Sequence, residues 1–588
     1  MPKGIAVSPG VAIGTAYVIH EIYVDPETKR LEDSEVTAEL ARYETARDKS
    51  AADLKALETK VAHQVGRDEA AIFGVHQMIV RDAAFTNKIR NWIVDDRVTA
   101  QIALQRLLEE YTTILSQTKD QYLRERLNDV RDVVVRIGTH LSPLSDTHQS
   151  ELRGPVILVA DELLPSQSVS FEGIDLHGIV TQSGSQTSHA AIIARSRGIP
   201  AVSGIKGLLK SIKSGDMLVV DGRDGHVEIN PNPESLAAFR KLEREFFDLQ
   251  GRLAENRHLP AVTADGVELR LQANINNLAD TKAACAMGAS GVGLFRTEYL
   301  YLTHPSIPDE DEQFEVYRKV IENSPNRNVT IRTLDIGGDK TVPYLGHHHQ
   351  EANPFMGWRS IRLSFEHPEF FYTQVRAVIR AAAEFPDGTV RLMFPMVTTV
   401  EEISKLRSMV RRAFKQLAAR GQSGRRFPEV PIGMMLEVPA AAVAIDSMLE
   451  SVDFVSIGSN DLIQYLMAAD RDNPKVSHLC QPLAPAVLRV LHQVIGACNR
   501  ASKPVTLCGE MAGQPKSFLL LLGMGLRRFS MSPAFIPSIK QLARTIRMEE
   551  AEHMAATALS LTTTKQVQTF MGRRFEQLAP DLAILDTP

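Results

Sequence analysis

The hydrophobic and polar positions change rhythm three times along the chain. Residues 1–20 alternate loosely in GIAVSPGVAIGTAYVI, which predicts two short strands around a Pro-Gly turn. From Ser34 to about His140 apolar residues recur at three- and four-residue spacing, as at Val36, Leu40 and Tyr43 and again at Leu54, Leu57 and Val61. Charged residues fill the other faces, and no proline falls between Glu27 and Pro143, so long antiparallel helices are expected. Short strands resume at GPVILVA (154–160) and continue through LHGIV, IPAVSG, DMLVVDG and HVEINP with helical stretches between them. That order predicts a small α/β domain of residues 1–30 and 145–230, interrupted by a helical insert of residues 31–144.

Residues 233–256, PESLAAFRKLEREFFDLQGRLAEN, read either as a solvated surface helix or as a connector, because the texture changes again after them. A linker over 231–260 is expected, and a further domain over 261–575. Eight near-continuous apolar runs recur there: LRLQANI (269–275), GVGLFR (291–296), NVTIRTLDI (328–336), VRLMFPMV (390–397), PIGMMLEV (431–438), FVSIGSN (454–460), PVTLCGE (504–510) and RRFSMSP (527–533). Helical stretches separate them, which predicts a (β/α)8 barrel around a parallel sheet buried on both faces.

Composition narrows the class. A chain of 588 residues suggests roughly two to four domains. A net charge of −5 argues against a dedicated nucleic-acid binder. The four cysteines, Cys285, Cys480, Cys498 and Cys508, form no CxxC pair, so neither a zinc site nor a disulfide framework is signalled, and a reducing cytoplasm is expected. The N-terminus lacks a signal pattern, and no apolar run reaches ~18 residues.

Active-site residues of such barrels sit at the C-terminal ends of the strands. The second barrel strand delivers Arg296 and the third Arg332; Glu437 lies near the end of the fifth; Asn460 and Asp461 end the sixth, with Arg471 beyond; Cys508 ends the seventh. Arginines on neighbouring strands suit an anionic substrate, and the carboxylates of Glu437 and Asp461 suit Mg²⁺ beside a phosphorylated group. Together they describe a small phosphorylated acid held by arginines and a metal. A lone charge in a barrel loop is commonly a surface charge or a cap, and a free cysteine is commonly a small buried hydrophobe; here several charges fall at the functional ends of different strands. Upstream, His189 stands behind a Gly/Ser/Gln/Thr turn at the mouth of an expected helix, where Thr187 or Ser188 can cap. A structural histidine and a phosphate-carrying histidine both fit; the free N–H groups of a helix start favour the second.

The stretch SGSQTSHAAIIARSRGIPAVSG resembles the phosphohistidine segment of phosphoenolpyruvate-utilising enzymes. The motifs GVGLFRTEYLY, IRTLDIGGDK, NPFMGWRSIR, MLEVPAA, SIGSNDLIQY and CGEMAG, with GIAVSPGVAIG, AIFGVHQMIVRDAAF and YLRERLNDVRDV upstream, are similar to those of the enzyme I family of the bacterial sugar phosphotransferase system, over essentially the whole chain. The resemblance implies phosphoryl transfer from phosphoenolpyruvate to His189 and on to a histidine of the phosphocarrier protein HPr, docked on the helical insert, with release of pyruvate. It implies substrate contacts by Arg296, Arg332, Arg471, Asn460 and Asp461, Mg²⁺ on Glu437 and Asp461, proton donation by Cys508, and a homodimer formed through the barrels. Two departures stand out: Ser185 and Gln186 replace the family's Gly-Arg or Gly-Lys before the histidine, and Ser168 replaces its usual threonine. On the docking helices His76 and Met78 are kept, while Arg67 sits where an acidic residue is usual. Pyruvate phosphate dikinase and phosphoenolpyruvate synthase need an ATP-binding region for which this chain has no room. A nitrogen-regulatory enzyme I would carry a sensor domain before the first strands, and a scaffold that has lost catalysis would show degenerate barrel residues.

Overall fold

The computed structural model describes residues 3–8, 10–19, 30–64, 67–116, 121–141, 154–163, 175–183, 194, 199–302, 307–337, 353–420, 427–471, 473 and 475–585. His189, Ser168, Ser185 and Gln186 lie outside the described residues, as does the side chain of Arg67. The chain divides into two compact units, residues 1–248 with 584–588, and residues 249–583.

The first unit holds a seven-stranded mixed sheet in the order β1-β5-β4-β3-β2-β6-β7. Its strands are β1 (Ile5–Ser8), β2 (Val11–Val18), β3 (Val156–Ala160), β4 (Leu176–Thr181), β5 (Ala201–Ser203), β6 (Met217–Asp221) and β7 (His226–Ile229). The two strands expected from residues 1–20 enter this sheet at different places. Strand β2 runs parallel to β3 and antiparallel to β6, whereas β1 lies at the edge against β5. Between β2 and β3 the chain leaves to form five helices, Asp33–Gln64, Arg67–Arg81, Ala83–Asp95, Ala100–Ser116 and Gln121–Leu141. Their apolar stripes meet in a core that includes Tyr43, Leu54, Phe85, Ile89, Leu104 and Val133. His76 is inside this bundle, with Nε2 3.3 Å from Asp129 Oδ1, while Met78 is 68% exposed; only Met78 of the pair presents a surface.

The second unit is a closed barrel of eight parallel strands in the order β8 to β15. They are β8 (Arg270–Ile275), β9 (Val292–Arg296), β10 (Asn328–Arg332), β11 (Thr389–Phe394), β12 (Ile432–Leu436), β13 (Phe454–Ile457), β14 (Val505–Leu507) and β15 (Arg528–Met531). The eight apolar runs are thus the eight strands. Capping fixes several of the helices between them: Thr399 and Glu402 exchange side-chain and backbone hydrogen bonds at the start of Val400–Ala419. Six of the strands stop before the end of their apolar run, and two show how. In the run 328–336 the strand ends at Arg332; Thr333 N–H still donates to Met393 O of β11, and beyond it the N–H groups turn to side chains, Leu334 N–H to Gln374 Oε1 and Asp335 N–H to Glu298 Oε1. The sixth run ends at Ile457, and helix Ser459–Met467 begins at once, so Asn460 and Asp461 stand in its first turn rather than on the strand. Among the described residues no helix is long and apolar enough to cross a membrane. The four cysteines are free.

Candidate active site

Two adjacent strands place two cations side by side: Arg296 of β9 is the register partner of Arg332 of β10. Arg332 is nearly fully buried. Its Nη2 donates to Glu298 Oε1 at 2.7 Å and its Nη1 lies 3.1 Å from Asp335 Oδ2. Burial opposes its charge, but Glu298 and then Asp335 outweigh burial and hold its pKa above the ordinary arginine value. Arg296 forms no ion pair among the described residues; burial, then the like charge of Arg332, lower its pKa. The pair therefore carries positive charge that its own neighbours only partly neutralise.

The carboxylates are layered beside it. Asp335 accepts from Arg359 Nη2 at 3.0 Å and also from the Ser360 hydroxyl. Ser360 has a φ of 57°, a conformation costly for a non-glycine residue and held here by that bond. The same Arg359 Nη2 reaches Asp461 Oδ2 at 3.4 Å. Glu437, one residue beyond β12, accepts at Oε1 from Met396 N–H at 2.6 Å, and Met396 also has φ near +57°. Gly458 lets Glu437 lie close, since a Cβ there would stand 2.8 Å from Oε2. Burial first, then Asp461 and Asp335, push the Glu437 carboxyl up to about 8 against the opposing pull of Arg332 and Arg359. Asp461 Oδ1 is buried and accepts no hydrogen bond from a described residue, although Arg471 Nη1 lies 3.5 Å away as an ion pair. Arg471 itself stands half-exposed at the edge, with 39% of its side chain accessible.

The opposite wall is built by the loop after β14. Asn460 Nδ2 donates to Glu510 Oε1 at 3.1 Å and Glu510 N–H returns a bond to Asn460 Oδ1 at 3.0 Å. Cys508 is buried; its Sγ accepts from Ser456 Oγ at 3.3 Å and faces Ile457 O at 3.4 Å. Burial is the largest influence on this thiol and raises its pKa, so Cys508 keeps its proton. The barrel residues expected from the sequence thus gather at one end. Glu298, Asp335 and Arg359 are additions: they stood in the motifs GLFRTEYLY, IRTLDIGGDK and GWRSIR, but beyond the strand ends, and only the folded loops bring them in.

Residues 250–548 match the family model described as PEP-utilising enzyme, PEP-binding domain. A phosphoenolpyruvate-protein phosphotransferase of Bacillus sp. (strain S) is 40% identical over 572 residues, spanning 97% of this chain and 98% of that protein. The chain belongs to the phosphoenolpyruvate-protein phosphotransferase family. Other members similar to it are those of Bacillus subtilis (strain 168), 38% identical over 98% of this chain and 99% of that protein, and of Haemophilus influenzae, 37% identical over 96% and 98%. Residues 3–126 match the PEP-utilising N-terminal model, and residues 152–225 the PEP-utilising mobile domain. In this phosphoenolpyruvate-protein phosphotransferase family member every barrel residue named above falls inside the first match, and His189 falls inside the mobile-domain match.

Proposed function

We propose that this enzyme moves the phosphoryl group of phosphoenolpyruvate to His189 and from there to a histidine of the phosphocarrier protein HPr, leaving pyruvate. The observation that carries the reading is the in-register pair Arg296–Arg332 beside the buried carboxylates Glu437 and Asp461. Phosphoryl transfer asks a protein mainly for positioning and charge neutralisation. Arg296 and Arg332 bind the anionic groups of the substrate from the barrel floor, Arg471 approaches from the edge, and Asn460 orients the substrate from the helix start.

Glu437 and Asp461 would hold Mg²⁺. The fit rests on the buried Asp461 Oδ1, which accepts no hydrogen bond from a described residue, and on the Glu437 carboxyl, whose pKa burial and then the neighbouring carboxylates push up to about 8. Bound there, Mg²⁺ would supply positive charge beside the phosphoryl and enolate oxygens. As the P–O bond to the enol oxygen breaks, a nitrogen of His189 forms the new bond to phosphorus. Cys508 then gives its Sγ proton to the enolate carbon, and solvent reprotonates the thiolate.

In this reading residues 1–30 and 145–230 carry His189, residues 31–144 dock HPr, residues 231–260 link the parts, and residues 261–575 bind phosphoenolpyruvate and pair into a homodimer in the cytoplasm. His189→Ala tests it: transfer to HPr should vanish while phosphoenolpyruvate binding persists. Acid-labile, base-stable phosphate on another residue of the wild-type protein would remove His189 from this role.

A further inference from the structure

The barrel has a second charged end. Side chains alternate along each strand, so Arg270, Gln272 and Asn274 of β8 share one face, as do Asn328, Thr330 and Arg332 of β10. Arg332 faces the active-site end, so the first residue of each set belongs to the opposite, N-terminal mouth. There Arg270, Arg391 and Arg528 line one narrow, solvent-open pocket, together with Asn328, Thr330, Ser456 and Thr506. Arg528 of β15 and Arg270 of β8 are direct register partners, the relation that Arg296 and Arg332 have at the other end. Arg391 joins from β11 and donates from Nη1 to Asn328 Oδ1 at 2.6 Å.

The charge balance of the two ends differs. The active-site arginines stand among Glu298, Asp335, Glu437 and Asp461. The lining of the lower cavity contains no carboxylate, and among the described residues none pairs with Arg270, Arg391 or Arg528. The neighbouring Asp265 is turned to Met548 N–H and Thr263. Burial and then mutual repulsion lower the pKa of both Arg391 and Arg528. A buried apolar layer lies between the cavity and the substrate site, and the two meet at Ser456, which lines the cavity and donates from Oγ to Cys508 Sγ. Met393, the next inward position above Arg391, and Met435, the one below Glu437, belong to a buried apolar cluster with Leu294 and Phe454.

We propose that the N-terminal mouth of the barrel binds a small oxyanion of the phosphate class, gripped by Arg270, Arg391 and Arg528. Guanidinium forks match phosphate oxygens two at a time, and the Thr330 and Thr506 hydroxyls offer neutral donors to the remaining oxygens. A free phosphate or the phosphate of a small monoester would meet the three guanidinium groups at the open mouth, where Arg270 is exposed.

Isothermal titration of inorganic phosphate and of glycerol phosphate into the full-length protein, at ionic strength matched with chloride, tests the site. The double variant Arg270→Gln/Arg528→Gln should lose one phosphate site, or bind there weaker by roughly tenfold or more for each guanidinium removed. Arg528→Lys, which keeps the charge without the fork, should bind at intermediate strength and guards against misfolding of the double variant. Phosphate should raise the Tm of the wild type more than that of the double variant. Tighter binding of the ester would name the monoester as the source, and tighter binding of inorganic phosphate the free ion. Equal stoichiometry and affinity for phosphate in wild type, Arg528→Lys and the double variant would overturn the proposal.

Discussion

Arg296 and Arg332 face each other across the β9–β10 ladder, two cations in register at one rim of a closed barrel. Like charges so placed repel, and the fold offsets only one of them, giving Glu298 and Asp335 to Arg332. What is left is partly uncompensated positive charge at that rim, which suits the anionic substrate proposed above and depends on buried ion pairs.

Arg332→Gln should therefore act on stability as well as on binding. It leaves Glu298 buried without its cation, and breaking one side of a buried pair costs about 3–5 kcal/mol. Urea unfolding of the phosphoenolpyruvate-free protein should show a lower midpoint for the second unit, and phosphoenolpyruvate binding should weaken in parallel. An unchanged midpoint would mean that Glu298 takes up a proton or another donor at little cost.

Glu437 gives a pH signature. Its folded pKa, near 8, lies above that of an unfolded glutamate, so between about pH 4.5 and 8 the folded protein holds a proton that the unfolded chain has released. Stability of the metal-free protein should accordingly be fullest below this window and fall as pH rises through it. Mg²⁺ bound as proposed at Glu437 and Asp461 would replace that proton, so its stabilising effect should grow with pH over the same range. Glu437→Gln should flatten both trends in unfolding measured at pH 5, 6.5 and 8.

Cys508→Ala should separate two steps of the reaction. The thiol keeps its proton in a buried setting, which suits a donor and not a nucleophile. Single-turnover experiments should show phosphorylation of the protein continuing while pyruvate appears slowly, as enolpyruvate tautomerises unaided. Pyruvate formation at the wild-type rate would return Cys508 to a packing role beside Met435.

The two compact units predict a division of labour. A fragment of residues 1–255 should fold alone, since it holds its own sheet and helical core. It should exchange phosphate with phosphorylated HPr yet take none from phosphoenolpyruvate. Direct labelling of this fragment by phosphoenolpyruvate would place the substrate site outside the barrel.

The alternation in residues 1–20, the proline-free helical insert and the eight apolar runs are local patterns, and each determined its elements before any packing was known. Strand ends then pointed to Arg296, Arg332, Glu437 and Cys508, because a parallel barrel must gather those ends at one rim. Other features depended on how distant segments meet. Asp335 became a site residue when its N–H turned from the ladder to Glu298, and Arg359 when its loop brought it onto both Asp335 and Asp461. His76 went into the bundle core although its motif suggested a docking face. At the far mouth, Arg270 and Arg528 lie more than 250 residues apart in sequence, and closure of the barrel alone makes them neighbours. Periodicity is a property of a few consecutive residues; charge pairing across a barrel is a property of register, and register is decided by the closed ladder.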